Sequence, residues 1–291
     1  MYEEASNATI LMLLHTAVYP FLAAIIVSIV AGKLLRGSSY LGYLGGFIVG
    51  LSLIHSGLSF PPNQAIDYYS ISIIIGIIAL LCSTLINKAI PHNGINFVLF
   101  SLSFYLLLNP VLKHSGPITS LSWAIVSALI MLCYQFLAEK THNTEQDQAK
   151  NERGISPLLL LIGLMIVAGS AAPVISIGGS LLIGQLLGAF GAALFGYALM
   201  AYVTKEKQSH TSIPALLILA GLITQSHVLA DIPLSVMLML AASCFVTPIA
   251  LLLSNQQSNK KSVIIIISQL IISGLISGLS LWLVWPESSL Y

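Results

Sequence analysis

Charged residues are scarce in this chain. Only 7% of its 291 residues are Asp, Glu, Lys or Arg and 57% are hydrophobic, whereas about 25% of a typical soluble domain is charged. With a mean hydropathy of +0.94, the chain has too few polar side chains to cover a globule in water, so lipid must solvate most of its surface. The composition therefore excludes a water-soluble fold and predicts an integral membrane protein.

Motifs for catalysis and cofactor binding are also absent. The sequence has no His-Glu-x-x-His, no Gly-x-Ser-x-Gly and no phosphate-binding loop, which argues against intramembrane hydrolysis and ATP-driven transport by this chain. Cys82, Cys133 and Cys244 fall in apolar runs without the spacing of a metal site or a disulfide framework. The net charge of +1 provides no basic patch for nucleic acid. We therefore favour a protein that is not an enzyme, and we expect no cofactor and no nucleic-acid partner.

Long apolar runs recur along the whole chain. A helix needs about 20 residues to cross a hydrocarbon core of about 30 Å, and ten segments are long enough. They lack the period of two that barrel strands show, so the predicted fold class is an all-α polytopic membrane protein. The predicted spans are residues 8–32, 39–57, 67–89, 94–112, 118–138, 156–173, 180–203, 212–229, 233–254 and 262–285.

The basic residues predict how these segments cross the bilayer. Ten of the eleven Lys and Arg residues follow odd-numbered spans, and only Lys113 follows an even-numbered one. Since basic residues in short loops stay on the cytoplasmic side, both termini are predicted outside the cytoplasm. The expected location is a bacterial inner (plasma) membrane, with the lipid bilayer as the main partner.

The longest polar stretch divides the ten spans into two equal sets. Residues 139–155 predict a cytoplasmic linker between five-helix halves at residues 1–138 and 156–291. Because five is odd, the halves run in opposite directions, which is the arrangement of inverted-repeat transporters. The sequence IVAG occurs once in each half, at residues 29–32 and 166–169, and two such short matches leave common descent of the halves open.

Small residues recur at every fourth position in three of the predicted helices. Such stripes let helix backbones approach closely in lipid. They serve either static packing or a sliding contact between the halves during transport. The glycines predicted to pack between helices are Gly42, Gly46, Gly50, Gly184, Gly188, Gly196, Gly274 and Gly278.

The junction between the sixth and seventh spans is the least helical stretch at membrane depth. It contains Pro173, Gly178, Gly179 and Ser180, with Gln185 one turn further on. Irregular backbone there would expose carbonyl groups and a helix N-terminus to a cavity, which makes these five residues the predicted substrate site. The alternative is an outer turn in which Gly-Gly-Ser begins a helix.

Several histidines fall on the predicted outer side. His15, His55 and His227, with Asp231 four residues after His227, are the candidates for a metal, haem or proton-handling site. No pair has a typical ligand spacing such as His-x-x-x-His.

Three functions remain open at this point. The chain fits a permease-like carrier of a small neutral or weakly polar solute. The two halves of such a carrier would enclose a polar cavity near the midplane, and hollow space between the second and seventh helices would indicate this cavity. It also fits a structural or assembly subunit with a solid interior and other membrane subunits as partners. A haem- or metal-binding redox protein is the third possibility. The size class is that of small transporters, but fold-level analogy alone does not fix function.

Overall fold

The computed structural model describes residues 9–34, 37–56, 58–85, 89–148, 158–204, 211–253 and 259–285. These residues form helices and turns and include no strand, so the predicted all-α fold class is confirmed. The helices are α1 (Thr9–Leu34), α2 (Leu41–Ile54), α3 (Tyr69–Leu85), α4 (Ala89–Leu112), α5 (Pro117–Gln148), α6 (Leu159–Gly178), α7 (Leu181–Thr204), α8 (Ser212–Ala230), α9 (Leu234–Leu253) and α10 (Asn259–Val284).

Eight helices in the described residues are long and apolar enough to cross a membrane, which indicates an integral membrane protein. The other two, α2 and α3, have 14 and 17 residues, so the predicted count of ten spans is not confirmed. Helix α2 is shorter than its predicted span because His55 leaves the helical conformation, with φ −106° and ψ 85°. Residues 55–56 and 58–68 are not helical, and they come before α3.

The predicted linker is partly helical. Residues 139–148 continue α5, which is 32 residues long, and residues 149–157 lie outside the described part. The polar composition of this stretch suggested a loop, but it contains no glycine or proline before Gly154 to end the helix. The chain termini also lie outside the described residues.

Burial differs strongly among the helices. In the most apolar 18-residue stretch of α8, 72% of the residues are buried within the protein, against 11% in α1. Helix α8 packs against α3, α4, α5, α6, α7 and α9, whereas α1 packs against α2 and α7. Helix α8 is therefore the central helix of the bundle, and α1 lies at its edge.

The contact between α2 and α7 is closely packed rather than hollow. The rings of Phe47 and Phe190 meet edge to face, with 5.5 Å between centroids. A methyl group built at Gly50 would lie 2.7 Å from Cβ of Ala189, which is too close for two carbon atoms. The hollow space that the carrier interpretation expects between these helices is not there.

Two hairpins are held by the same kind of contact. A Cβ atom at Gly42 of α2 would collide with the hydroxyl of Ser28 in α1, and one at Gly184 of α7 would collide with the hydroxyl of Ser176 in α6. Each serine lies in the helix that precedes its glycine, so both hairpins bring a serine against a glycine.

Two further glycines admit backbone atoms of α1. A Cβ atom at Gly46 would lie 2.5 Å from the carbonyl oxygen of Pro20, and one at Gly196 would lie 2.6 Å from that of Phe21. Helices α2 and α7 therefore approach α1 at distances that only glycine allows at these positions.

The remaining glycines of the predicted stripes have more room. A Cβ atom at Gly188 would have no neighbour closer than 3.8 Å, and those at Gly274 and Gly278 would meet nothing within 4 Å. Gly274 and Gly278 lie on the exposed side of α10, so no other described helix packs against them, and their predicted packing role stays a prediction.

Candidate functional site

The predicted substrate site at the α6–α7 junction is a short turn. Helix α6 continues through Pro173 to Gly178, and only Gly179 and Ser180 lie outside the helices. The Ser180 hydroxyl accepts a hydrogen bond from the backbone N–H of Ile183 at 3.2 Å, which is the role of a helix-starting residue. Of the two interpretations, the structure has the turn in which Gly-Gly-Ser begins a helix. Irregular backbone from Pro173 to Ser180 is not observed, because one proline removes a single helical hydrogen bond and the neighbouring turns hold.

The two glycines of this turn allow close packing. A Cβ atom at Gly178 would lie 2.8 Å from Cδ1 of Ile232, and one at Gly179 would collide with the carbonyl oxygen of Ala230. The turn therefore rests against the end of α8.

The other two residues of the predicted site lie on the helices beside the turn. Pro173 is exposed on α6, and Gln185 is half-buried on α7. Neither they nor the three turn residues line either of the cavities described below.

The histidines of the predicted metal site have separate surroundings. The ring of His15 lies 5.8 Å from that of Tyr19, and His55 Nε2 lies 3.3 Å from Asp67 Oδ1. His227 Nδ1 lies 2.6 Å from the carbonyl oxygen of Ile232, so it donates to this oxygen rather than binding Asp231. Asp231 ends α8 in the left-handed conformation, with φ 52°. No group of three or more His, Cys, Asp or Glu side chains that could hold a metal ion occurs in the described ranges.

Asp67 organises the loop between α2 and α3. Its fully buried carboxylate accepts hydrogen bonds from the backbone N–H groups of Ser59, Asn63 and Gln64, and from the Ser59 hydroxyl at 2.9 Å. Burial alone raises the pKa of the Asp67 carboxyl, but these hydrogen bonds outweigh it and lower the pKa below its ordinary value. The loop therefore depends on the ionised carboxylate.

We expect Asp67→Asn to destabilise the protein by about 1–3 kcal/mol, because an amide nitrogen would face backbone N–H donors. The matched control is Asp231→Asn, since Asp231 is exposed and asparagine tolerates the left-handed conformation. Thermal unfolding in detergent measures both. Equal melting temperatures for the two variants would contradict the role of Asp67.

The same carboxylate predicts a dependence on pH. Because the folded-state pKa of Asp67 lies below the unfolded value, its contribution to stability is complete above the unfolded pKa of about 4 and is lost as the pH falls through the folded-state pKa. We expect the stability difference between wild type and Asp67→Asn to shrink with acidification below about pH 4. A difference that grew at low pH would contradict this linkage.

A large cavity lies between α4, α5, α8 and α9. Its volume is about 280 Å³, and its wall is mostly apolar and aromatic. The described lining residues include no Asp, Glu, Lys, Arg or His. Representative lining residues are Phe104, Trp123, Tyr134, Thr224, Met237 and Phe245.

One wall of the large cavity is a break in α9. The helix stops after Ser243, makes a turn at Cys244 and Phe245, and resumes at Val246. Both turn residues line the cavity. Pro248 cannot donate a backbone hydrogen bond to the Cys244 carbonyl, which favours an interruption at this point.

A buried glutamine of α10 stabilises this break. The Gln269 side-chain N–H donates to the Ser243 carbonyl oxygen at 3.0 Å and to the Ser273 hydroxyl at 2.7 Å. Its oxygen accepts from the Thr247 hydroxyl at 2.7 Å. Gln269 thus ties both segments of α9 to α10.

A cluster of five polar residues, the His92 cluster, lies between α3, α4 and α5. It consists of Ser83, His92, Asn96, Gln135 and Glu139. The Asn96 amide donates to Gln135 Oε1 at 3.1 Å, and the Gln135 amide donates to Glu139 Oε1 at 2.7 Å. Asn96 Oδ1 is buried and has no hydrogen-bond partner among the described residues. The cluster therefore joins three helices through side-chain hydrogen bonds.

A small cavity lies beside both this cluster and the large cavity. It has a volume of about 30 Å³ and is lined by Gln135 and Glu139, so it has room for about two water molecules. Met131, Tyr134 and Leu216 line both cavities. The small cavity thus lies between the His92 cluster and the large cavity, and we call the cluster the floor of the large cavity.

Sequence reasoning missed the residues of the cavity and its floor. A signal existed for the floor: His92 and Asn96 are four apart on α4, and Gln135 and Glu139 are four apart on α5, so each pair shares a helix face. Assigning Glu139 to the linker hid the second pair. For the cavity wall, which is mostly apolar, the sequence offers no comparable signal.

Searches of protein-family models, curated proteins and solved structures found no match to this chain.

Proposed function

We propose that this membrane protein is a permease-like carrier of a small neutral, mainly apolar or weakly polar solute, which binds in the large cavity. The observation that carries the proposal is a cavity of about 280 Å³ beside a broken helix. Discontinuous helices commonly form substrate sites in carriers, because a break leaves helix ends and backbone groups that can face the site.

The cavity's chemistry supports a neutral solute. A charged solute would lose its hydration without meeting an opposite charge, which is costly. Ser127 and Thr224 are polar groups in the wall, and the buried Tyr134 hydroxyl has no hydrogen-bond partner among the described residues. One or two hydrogen bonds to the solute are therefore available.

The volume limits the size of the solute. Benzene fits an engineered cavity of about 150 Å³, so a cavity of about 280 Å³ accommodates about eleven non-hydrogen atoms by proportion. This is the size of a substituted aromatic ring or a short amphiphile.

Labelling of Cys244 tests this proposal without knowledge of the solute. Cys244 lines the cavity, and Cys82→Ser with Cys133→Ser would leave it as the sole thiol. We expect a small neutral maleimide to label Cys244 in liposomes, and Ser127→Phe to slow the labelling about tenfold or more by filling the cavity. Ser122→Phe is the matched control, because Ser122 is an exposed residue of the same helix and does not line the cavity.

Two results would contradict the carrier. Cys244 could remain unlabelled under all conditions together with a cysteine introduced at Thr224 of the same wall, which would mean that the cavity is closed. Alternatively, Ser127→Phe and Ser122→Phe could label at the same rate, which would mean that the reagent reaches Cys244 by another route.

A second candidate function, a structural or assembly subunit, is favoured by one observation. Gly274 and Gly278 lie on the exposed side of α10 with open space around them, where a partner helix could approach closely. This candidate predicts that Gly274→Leu abolishes association with another membrane subunit, or with a second copy, while Cys244 labelling stays unchanged.

We also propose that residues 1–138 and 156–291 are inverted halves with both termini outside the cytoplasm. The Ser28–Gly42 and Ser176–Gly184 contacts support related hairpins. The IVAG segments support it less, because residues 29–32 lie near the end of α1 and residues 166–169 lie in the middle of α6. The opposite orientation of the halves requires α2 and α3 to cross the bilayer despite their length, which local thinning of the bilayer would allow.

A further inference from the structure

We propose that the solute of the large cavity is a lipid-soluble neutral amphiphile that enters sideways from the bilayer, through a gap between α5 and α9. The proposal rests on the carrier function proposed above, and it adds the route and the chemical class of the solute. Its starting observation is that, among the described residues, the exposed ones that line the cavity lie on only two of the four helices of its wall.

The edges of the gap are apolar side chains of these two helices. The exposed fractions of the four exposed lining residues lie between 36% and 52%. These residues are Val126, Ile130, Leu234 and Leu238. The first two are four apart on α5 and the last two are four apart on α9, so each pair lies on one face of its helix. The described lining residues of α4 and α8 are buried or half-buried. The cavity therefore opens between α5 and α9.

The break in α9 explains why the gap exists. The first segment of α9, Leu234–Ser243, packs against α6, α8 and α10, whereas the second segment, Val246–Leu253, packs against α5, α6 and α10. After the break, the ring of Phe245 meets that of Tyr134 in α5 edge to face, with 5.7 Å between centroids. This contact closes one end of the gap. Before the break, α9 has no comparable packing against α5 in the described ranges, and the gap lies there.

The gap lies at the depth of the hydrocarbon core. Helices α5 and α9 are both among those long and apolar enough to cross a membrane. Val126 and Ile130 lie near the middle of the 25-residue apolar stretch Pro117–Thr141, so several helical turns separate them from either membrane surface. Lipid therefore solvates the edges of the gap, and a solute that passes between them comes from lipid.

A polar contact is needed to hold such a solute in the cavity. Lipid tails solvate apolar surface as well as an apolar wall does, so apolar contacts alone would not draw a solute out of the bilayer. A polar group inside the hydrocarbon core lacks a hydrogen-bond partner. Tyr134 of the cavity wall is 2% exposed, and its hydroxyl has no partner within the part of the chain that the structure describes. The solute therefore carries a group that accepts a hydrogen bond from Tyr134.

The cavity is too small and too apolar for a whole phospholipid. A volume of about 280 Å³ accommodates about eleven non-hydrogen atoms, far fewer than a lipid with two acyl chains contains. A charged headgroup would also meet no Asp, Glu, Lys, Arg or His among the described lining residues. The occupant is therefore a small amphiphile dissolved in the bilayer. The middle of one acyl chain can still reach through the gap, which makes a lipid a suitable probe of the route.

Photolabelling from the bilayer tests sideways entry. Purified protein is reconstituted in phosphatidylcholine liposomes that contain a phosphatidylcholine with a diazirine on one acyl chain, and modified residues are mapped by mass spectrometry after irradiation. Thr224 of α8 and Met237 of α9 are buried residues of the cavity wall. Ile218 and Leu240, on the same two helices, are buried but do not line the cavity. We expect modification of Thr224 and Met237, and none above background at Ile218 and Leu240.

Competition tests the polar group of the solute. A ketone and an alkane of equal chain length are each added to the liposomes, and we compare the membrane concentrations that halve the labelling of Thr224. We expect the ketone to compete at a concentration about two- to tenfold lower, the factor that one hydrogen bond provides. Tyr134→Phe removes a hydroxyl without a partner and should abolish this difference. The matched control Tyr202→Phe, at an exposed tyrosine of α7 that does not line the cavity, should retain it.

The outcomes separate this proposal from the carrier function. Absence of lipid labelling at Thr224 and Met237, in protein whose Cys244 still reacts with a neutral maleimide, would overturn sideways entry and leave the carrier cavity intact. Equal labelling of Thr224 and Ile218 would also overturn it, because the probe would then enter without using the gap. An alkane that competes as well as the ketone in wild type would overturn the requirement for a polar group. If neither the lipid probe nor the maleimide reaches the cavity, both proposals fail.

Discussion

Gly46→Leu is expected to prevent accumulation of folded protein. Even a single Cβ atom at this position would lie 2.5 Å from the Pro20 carbonyl oxygen and 2.9 Å from Cβ of Ala193. Neither the backbone of α1 nor that of α7 can move aside without separating three packed helices. Overpacking a well-filled core costs about 1–3 kcal/mol, and a leucine against backbone atoms should reach or exceed the top of this range. Yield after solubilisation and thermal unfolding in detergent measure the effect.

Gly274→Leu is the control for this prediction. It makes the same chemical change in another apolar helix, but the Cβ atom at Gly274 has open space and a leucine there would meet lipid. We expect its melting temperature to stay close to that of wild type. Similar loss of folded protein in both variants would mean that leucine is harmful for reasons other than close packing of α2.

Local composition predicted the helices better than it predicted their ends. The long apolar runs correspond to α1–α10 because a backbone in lipid must satisfy its hydrogen bonds internally, and a helix does so locally. Ends depend on the particular residues at the boundary. Helix α2 ends before His55, and α5 continues past Glu139 into residues that a composition rule assigns to a loop.

Proline illustrates why the candidate site could not be located from sequence. Pro173 lies inside a continuous α6, whereas Pro248 lies just after the interruption in α9. The difference comes from the neighbours, since the Gln269 side chain of α10 binds the Ser243 carbonyl and the Thr247 hydroxyl at the break. Residue 269 is more than twenty positions from the break, and only the packing of α9 against α10 brings it there.

The cavity depends even more on tertiary packing. Its wall combines four helices whose lining residues look like ordinary apolar core in sequence. The floor was within reach of sequence reasoning through the polar pairs on α4 and α5, but the meeting of the two pairs required the contact between those helices. Spacing along one helix identifies a face, and it does not identify what that face meets.

Gln269→Leu is expected to destabilise the protein by about 2–4 kcal/mol. The side chain is fully buried and makes three hydrogen bonds, so its loss leaves the Ser243 carbonyl and the Thr247 and Ser273 hydroxyls without this partner. Each buried group left unpaired costs about 1–3 kcal/mol, and rearrangement within the membrane recovers part of that cost. Thermal unfolding and chemical unfolding in mixed micelles measure the change. We also expect faster labelling of Cys244, because the two segments of α9 are no longer held to α10.

Gln185→Leu is the control for Gln269→Leu. It replaces a glutamine in a membrane helix by leucine but removes none of these hydrogen bonds. Gln185 is half-buried and its side chain has no hydrogen bond among the described residues, so leucine at this position removes nothing and adds apolar surface that lipid solvates well. We expect a change of less than about 0.5 kcal/mol and unchanged labelling of Cys244. If Gln185→Leu were as damaging as Gln269→Leu, or if Gln269→Leu were tolerated, the break in α9 would not depend on the amide of α10. The cavity wall would then have to be held by the packing of α9 against α5 and α8 instead.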